Sequence, residues 1–178
     1  MLPAGTGPAG KWSGKEEYKM RALLVIDMQE DYVGESRDRK RFPYHPEILI
    51  PRINQRIQDF QSEGNLVVYI LNRFFYQSRK YTPQLVRGIS VVSDKTFVKN
   101  RISCFSNPEL TRFLRENHVV ELETVGVDGN YCVAASARAG VKKGFSVLFN
   151  QQCVEAAKAD RFGKTVARLK AADVAVAG

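Results

Sequence analysis

The segment Ala22–Ile26 reads ALLVI, a continuous apolar run that stops at Asp27. A strand with one wet face alternates apolar and polar residues, because successive side chains point to opposite sides. A run without alternation suits a strand buried on both faces, the environment of a parallel sheet covered by helices. The same pattern returns in LVVYIL at 66–71, and the stretch from His118 to Val127 reads as a third main strand. Between the first two runs, Leu49, Ile50, Ile53, Ile57 and Phe60 recur at three- and four-residue steps, predicting an amphipathic helix from Pro46 to about Ser62, closed by Gly64. Thr96–Val98 reads as a short strand ending at Lys99. Asn107-Pro108 opens a helix to about Glu116, with Asn as cap and Pro at the first position. A helix over Tyr131–Lys142, a strand over Phe145–Phe149, a helical stretch over roughly 153–171 and a final Val174–Val176 complete the series. Strand alternating with helix predicts an α/β fold, a parallel sheet with helices on both faces.

Composition narrows the function classes. No apolar run approaches the roughly 18 residues that cross a bilayer, and no secretory leader is evident, so no membrane association and a cytoplasmic location are expected. The three cysteines, Cys104, Cys132 and Cys153, are far apart and form neither a disulfide framework nor a CxxC zinc pair. Net charge is +8. Part of it lies in Arg37, Arg39, Lys40 and Arg41, which read as a solvated loop; a phosphate or acidic ligand is the other reading. No nucleic-acid motif accompanies the charge, and no nucleic-acid partner is expected. Residues 1–19 are rich in Gly, Pro and Ala and read as a tail or N-terminal extension, with residues 20–178 as the domain.

Chemistry gathers at one edge of the expected sheet. Ligands of open α/β sheets bind beyond the carboxyl ends of the strands. Asp27, Lys99 and the turn Val127-Asp128-Gly129-Asn130 before Cys132 all fall there. Taken singly each has an ordinary explanation: a turn former, a solvated lysine, a small buried thiol. Together they suit nucleophilic catalysis. A helix start and a nearby ammonium favour a thiolate at Cys132. A carboxylate can take the thiol proton and return it to a leaving amine. Turn amides can hold an oxyanion.

Three segments carry a resemblance: LLVIDMQEDY (23–32), VKNRISCFSNPELTRFL (98–114) and VGVDGNYCVAASARAGVKKGFSV (125–147). Together they resemble the isochorismatase-like cysteine hydrolases, which include nicotinamidases, N-carbamoylsarcosine amidohydrolases and ureidoacrylate hydrolases. The resemblance implies a three-layer, Rossmann-like fold around a six-stranded parallel sheet. It implies an Asp–Lys–Cys triad at Asp27, Lys99 and Cys132, and a non-proline cis peptide at Val127–Asp128 that aims the backbone amides of Asp128 and Cys132 into an oxyanion hole. Gln29 and Tyr32 match pocket-lining positions. A homo-oligomer acting on a small-molecule substrate is implied as well.

The departures also inform. Nicotinamidases of this family bind a metal through an Asp-x-His pair and further histidines. The matching region here, LNRFFYQSRKYTPQLVRG, has neither His nor Asp, and the chain holds only His45 and His118. No metal and no cofactor are expected, and nicotinamide becomes a less fitting substrate. Isochorismatases proper often lack the cysteine, so its presence favours hydrolysis of an amide or ureido C–N bond. Gly129-Asn130 replaces the commoner Thr-Asp, which bears on specificity. Arg73 and Phe74, just past the second strand, are expected at the pocket mouth, with Arg73 pairing a substrate carboxylate. The competing reading is a family fold without catalysis, kept as a binding or scaffold protein.

Overall fold

The computed structural model describes residues 19–178. Its strands are β1 (Met20–Ile26), β2 (Leu66–Asn72), β3 (Thr96–Lys99), β4 (Val119–Val127), β5 (Ser146–Glu155) and β6 (Ala175–Ala177). Its helices are α1 (Glu30–Val33), α2 (Pro46–Ser62), α3 (Pro108–Glu116), α4 (Cys132–Lys142) and α5 (Ala159–Lys170). The six strands form one sheet in the order β3-β2-β1-β4-β5-β6, and every pairing is parallel.

The apolar run of β1 is fully used. Leu23 and Val25 pack on one face with Leu49, Ile53, Ile57 and Phe60 of α2. Ala22, Leu24 and Ile26 pack on the other with Leu110 and Leu114 of α3, Val133, Ala134 and Ala137 of α4, and Leu169 of α5. Each fully buried aliphatic or aromatic side chain contributes about 2 kcal/mol relative to exposure, so α2 is held by its stripe rather than by propensity. Asn107 caps α3, its side chain accepting from the Glu109 amide, and Pro108 takes the first helical position.

Two segments differ from the sequence reading. β5 does not stop at Phe149: it continues to Glu155, and α5 starts at Ala159 rather than near 153. The ladder to β4 shifts register between Thr124 and Gly126, after which Val154 and Glu155 pair with Gly126 and Val127. The polar Asn150-Gln151-Gln152 at this irregularity hides the strand from a hydrophobic pattern. The single turn of α1 was not expected either. Of the tail expected over 1–19, residues 1–18 lie outside the described residues.

The strand order puts β2 and β4 on opposite sides of β1, so the chain leaves β1 and β4 in opposite directions. The crevice at their carboxyl ends is the usual ligand position in such sheets. Close contact there requires Gly126, whose φ is +113° and whose hypothetical Cβ would lie 2.0 Å from the Ile26 carbonyl oxygen.

Candidate active site

Asp27, Lys99 and Cys132 come together in this crevice. β1 ends at Ile26, and Asp27 turns with φ 55°, a left-handed conformation that Asp tolerates better than most residues. Its amide still donates to the Ile70 carbonyl, tying the turn to β2. Lys99 is the last residue of β3, two strands away, and its stem crosses beneath the sheet edge with 1% exposure. Lys99 Nζ lies 2.9 Å from Asp27 Oδ2 and 3.4 Å from Cys132 Sγ. Asp27 Oδ1 has no protein partner. Cys132 is the first residue of α4 and is half-buried.

Burial and charge set the protonation states. Burial raises the Asp27 carboxyl above its ordinary value, against the opposing pull of Lys99. Burial works against the Lys99 ammonium, but the Asp27 charge and the Cys132 sulfur outweigh it and hold its pKa above the usual lysine value. The Cys132 thiol is pushed up to about 12, first by burial and then by the Asp27 anion, with Lys99 opposing. This corrects the sequence expectation of a standing thiolate. The ammonium is present, but it is already neutralised by a carboxylate, and a second anion in a dry site is costly. These directions favour a neutral thiol at Cys132 and keep Lys99 charged beside Asp27.

The turn before Cys132 is fixed by its own side chain. Asp128 Oδ1 accepts from the Asn130 amide at 2.7 Å, and Oδ2 accepts from Tyr44 Oη at 3.0 Å and from the Ala157 amide at 2.7 Å. The Asp128 carbonyl accepts from the amides of Tyr131 and Val133, each at 3.1 Å. Among the described residues, the amides of Asp128 and Cys132 donate to no protein acceptor. The Val127–Asp128 peptide is cis.

A cavity of about 380 Å³ opens over these groups, lined among others by Asp27, Tyr32, Asn72, Phe74, Val127, Asp128 and Cys132. Tyr32 accepts through its hydroxyl from Asn72 Nδ2 at 3.0 Å. A broader groove of about 1120 Å³ lies along α4, with Tyr131 lining both. The broader groove has no carboxylate or cysteine in its walls, whereas the smaller cavity has Asp27, Asp128 and Cys132.

Two expected pocket residues lie elsewhere. Gln29 is buried but does not line the cavity. It clamps the Asn72 backbone, accepting from the Asn72 amide at 2.8 Å and donating to the Asn72 carbonyl at 3.1 Å. Arg73 is exposed and outside the cavity, because Asn72, the last residue of β2, points inward and strand alternation turns the next side chain away. Sequence reasoning missed Arg41, Phe42, Tyr44 and Lys158, which do line the cavity. Arg41 lay inside the basic run read as solvated. The only available signal was that this run follows the Asp27 turn and so sits at the same sheet edge.

The donor set does not fit a catalytic metal. Among the described residues no cluster of three or more His, Cys, Asp and Glu side chains is placed to hold one. Asp27 is engaged by Lys99 and Asp128 by three donors. The segment after β2 offers Arg79, Lys80 and Arg87 rather than ligands. Among the described residues no helix is long and apolar enough to cross a membrane.

Comparisons with known proteins agree on the fold. Residues 21–177 match the isochorismatase domain. A probable inactive nicotinamidase of Arabidopsis thaliana is 26% identical over 141 residues, covering 66% of this chain and 71% of that protein. Among solved structures, pyrazinamidase of Pyrococcus horikoshii in complex with zinc superposes with a TM-score of 0.72 at 24% identity, covering 88% of this chain and 98% of that one. An isochorismatase-like hydrolase from Alkaliphilus metalliredigens gives 0.75 at 18% identity, covering 89% and 93%. The nicotinamidase PncA of Bacillus subtilis gives 0.73 at 21% identity, covering 89% and 100%.

Proposed function

The chain belongs to the isochorismatase family, and we propose that within this hydrolase family it is a cysteine amidohydrolase that cleaves a C–N bond of a small amide or ureido compound. The observation that carries the proposal is a single buried ammonium, Lys99, within 2.9 Å of a carboxylate and 3.4 Å of a thiol. Such a trio supplies base, nucleophile and counter-charge at one point.

In the proposed reaction Asp27 takes the proton of Cys132, and the new thiolate attacks the carbonyl carbon. The carbonyl electron pair moves to oxygen, where the amides of Asp128 and Cys132 donate hydrogen bonds. As the tetrahedral adduct collapses, the C–N bond breaks and Asp27 hands its proton to the departing amine. A thioester remains on Cys132. Water then gives a proton to Asp27 and attacks the thioester; the second adduct collapses, the C–S bond breaks, the acid product leaves, and Asp27 returns the proton to the Cys132 sulfur. Cysteine at the nucleophile position and a donor set unsuited to metal support this metal-independent route.

The test is ammonia release from a panel of small amides and ureides, with and without chelator. Cys132→Ala is expected to abolish turnover of any amide the wild type hydrolyses; equal turnover by the variant would refute the proposal. The second reading, a retained fold that binds without turnover, is favoured by one observation, the relative described as a probable inactive nicotinamidase. Binding of amides with no ammonia release from intact protein would select it.

A further inference from the structure

The cavity over Cys132 carries positive charge that the hydrolytic steps do not use. We propose that Arg41 and Lys158 form an anion subsite at its mouth, so that the substrates are small amides or ureides bearing a carboxylate remote from the scissile C–N bond. This rests on the amidohydrolase reading and names its substrate class.

The two cations come from separate loops. Arg41 lies between α1 and α2, and Lys158 immediately precedes α5. Both line the cavity and both are exposed, whereas Asp27, Val127 and Asp128 are buried and form its floor. The charged heads are therefore at the rim and the nucleophile below. Among the described residues neither cation lies within salt-bridge distance of any carboxylate. Arg41 instead rests on the Phe42 ring, 5.2 Å from its centroid.

The carboxylates inside the cavity do not answer them. Asp27 is matched by Lys99 at 2.9 Å. Asp128 is occupied by the Tyr44 hydroxyl and by the amides of Asn130 and Ala157. Set against these two carboxylates, Arg41, Lys158 and Lys99 leave one positive charge unmatched, which a monoanionic substrate would neutralise. Between rim and floor the walls are Phe42, Tyr44, Phe74 and Ala157, which suit a short hydrocarbon spacer.

The Arg41 loop is held in place before any ligand arrives. Arg37 donates to the carbonyls of Gly34, Phe42 and Tyr44 at 3.0, 3.0 and 2.7 Å, closing the loop around its own guanidinium. The His45 amide donates to Glu155 Oε2 at 2.7 Å, pinning the loop to the end of β5. On the opposite wall the Lys158 carbonyl accepts from Asn130 Nδ2 at 2.8 Å. Arg41 thus offers a planar two-pronged donor on a fixed backbone, and Lys158 a point charge from a second loop of the same cavity.

The experiment compares malonamate, succinamate and glutaramate with uncharged amides of matched shape, such as 4-methylpentanamide for succinamate. Calorimetry uses Cys132→Ala protein, alone and carrying Arg41→Met, Lys158→Met or both. At least one carboxylated amide is expected to bind about tenfold or more tighter than its neutral counterpart. The preference should fall with either substitution, vanish with both, and weaken as ionic strength rises from about 0.02 to about 0.3 M. In Cys132-intact protein the same substitutions should raise KM several-fold more for the charged amide than for its neutral counterpart. Equal affinities, a preference that survives the double substitution, or no binding by any member overturns the subsite. Charge-selective binding without ammonia release keeps the subsite and refutes the hydrolase reading. Ammonia release that the double substitution lowers equally for charged and neutral amides refutes the subsite alone.

Discussion

Replacing Lys99 by methionine removes the ammonium and keeps most of the stem volume. Lys99 is 1% exposed and Asp27 2%, with 2.9 Å between their charged atoms. At an effective dielectric of about 20 the attraction at that separation is about 6 kcal/mol. Removing the ammonium also removes the cost of burying it, so a net loss of about 3–5 kcal/mol is expected, the range for a buried pair deprived of one partner. In a chain of 178 residues this lowers Tm by roughly 6–20 °C.

The loss must depend on pH. Without Lys99 the Asp27 pKa, already raised by burial, climbs further, because the charge that opposes burial has gone. The folded variant can then relieve its orphan anion by binding a proton, which is easier in acid. Urea unfolding of wild type, Asp27→Asn, Lys99→Met and the double variant at pH 5 and pH 8 measures this. The Lys99→Met penalty should be larger at pH 8, and the double variant should recover most of it. A penalty under about 1 kcal/mol at pH 8, or one equal at both pH values, or no recovery in the double variant, would refute the buried-pair account.

Other outcomes follow from the same geometry. The acid limb of kcat/KM should lie above the ordinary aspartate range, since activity needs ionised Asp27 and is lost as pH falls through its raised pKa; a limb near 4 or below would contradict this. In folding, the sign is reversed: the raised Asp27 pKa gives stability that is full below 3.8 and lost as pH rises through the folded value. Lys99, held above 10.5, contributes stability that is full below 10.5 and lost only as pH passes its folded value. Iodoacetamide should label Cys132 slowly near neutral pH and faster in Asp27→Asn, because the Asp27 anion raises the thiol while Lys99 lowers it; each unit of pKa recovered is a tenfold gain in thiolate. Unchanged or slower labelling in that variant would refute the assignment. Gly126→Ala, with its Cβ 2.0 Å from backbone oxygen, should cost at least about 3 kcal/mol in urea unfolding, and a near-neutral result would mean the β1–β4 edge is looser than described.

The sequence carried the fold wherever burial alone dictates residue type. ALLVI and LVVYIL reveal β1 and β2 because both faces of each strand are covered. The stripe of α2 reveals itself because one face packs on the sheet. The second half of β5 was illegible because Asn150, Gln151 and Gln152 sit at an irregularity where pairing, not hydrophobicity, keeps the strand. At the site, Asp27, Lys99 and Cys132 were legible as strand-end and helix-start residues. Arg41 was not, since a loop has no period to say which of its cations turns inward. Arg73 misled because proximity to a strand end does not specify side-chain direction, and Asn72 holds the inward position.

The raised thiol pKa does not oppose the proposed chemistry. A pKa near 12 describes loss of the Cys132 proton to solvent, which leaves two anions in a site that disfavours them. Transfer of that proton to Asp27 leaves the number of charges unchanged. Lys99 then faces a thiolate at 3.4 Å instead of a carboxylate at 2.9 Å. At an effective dielectric of about 20, those two attractions differ by less than about 1 kcal/mol. The ammonium therefore stabilises the anion on either side of the transfer almost equally. Burial, which raises both acids, makes Asp27 a better base without requiring a standing thiolate.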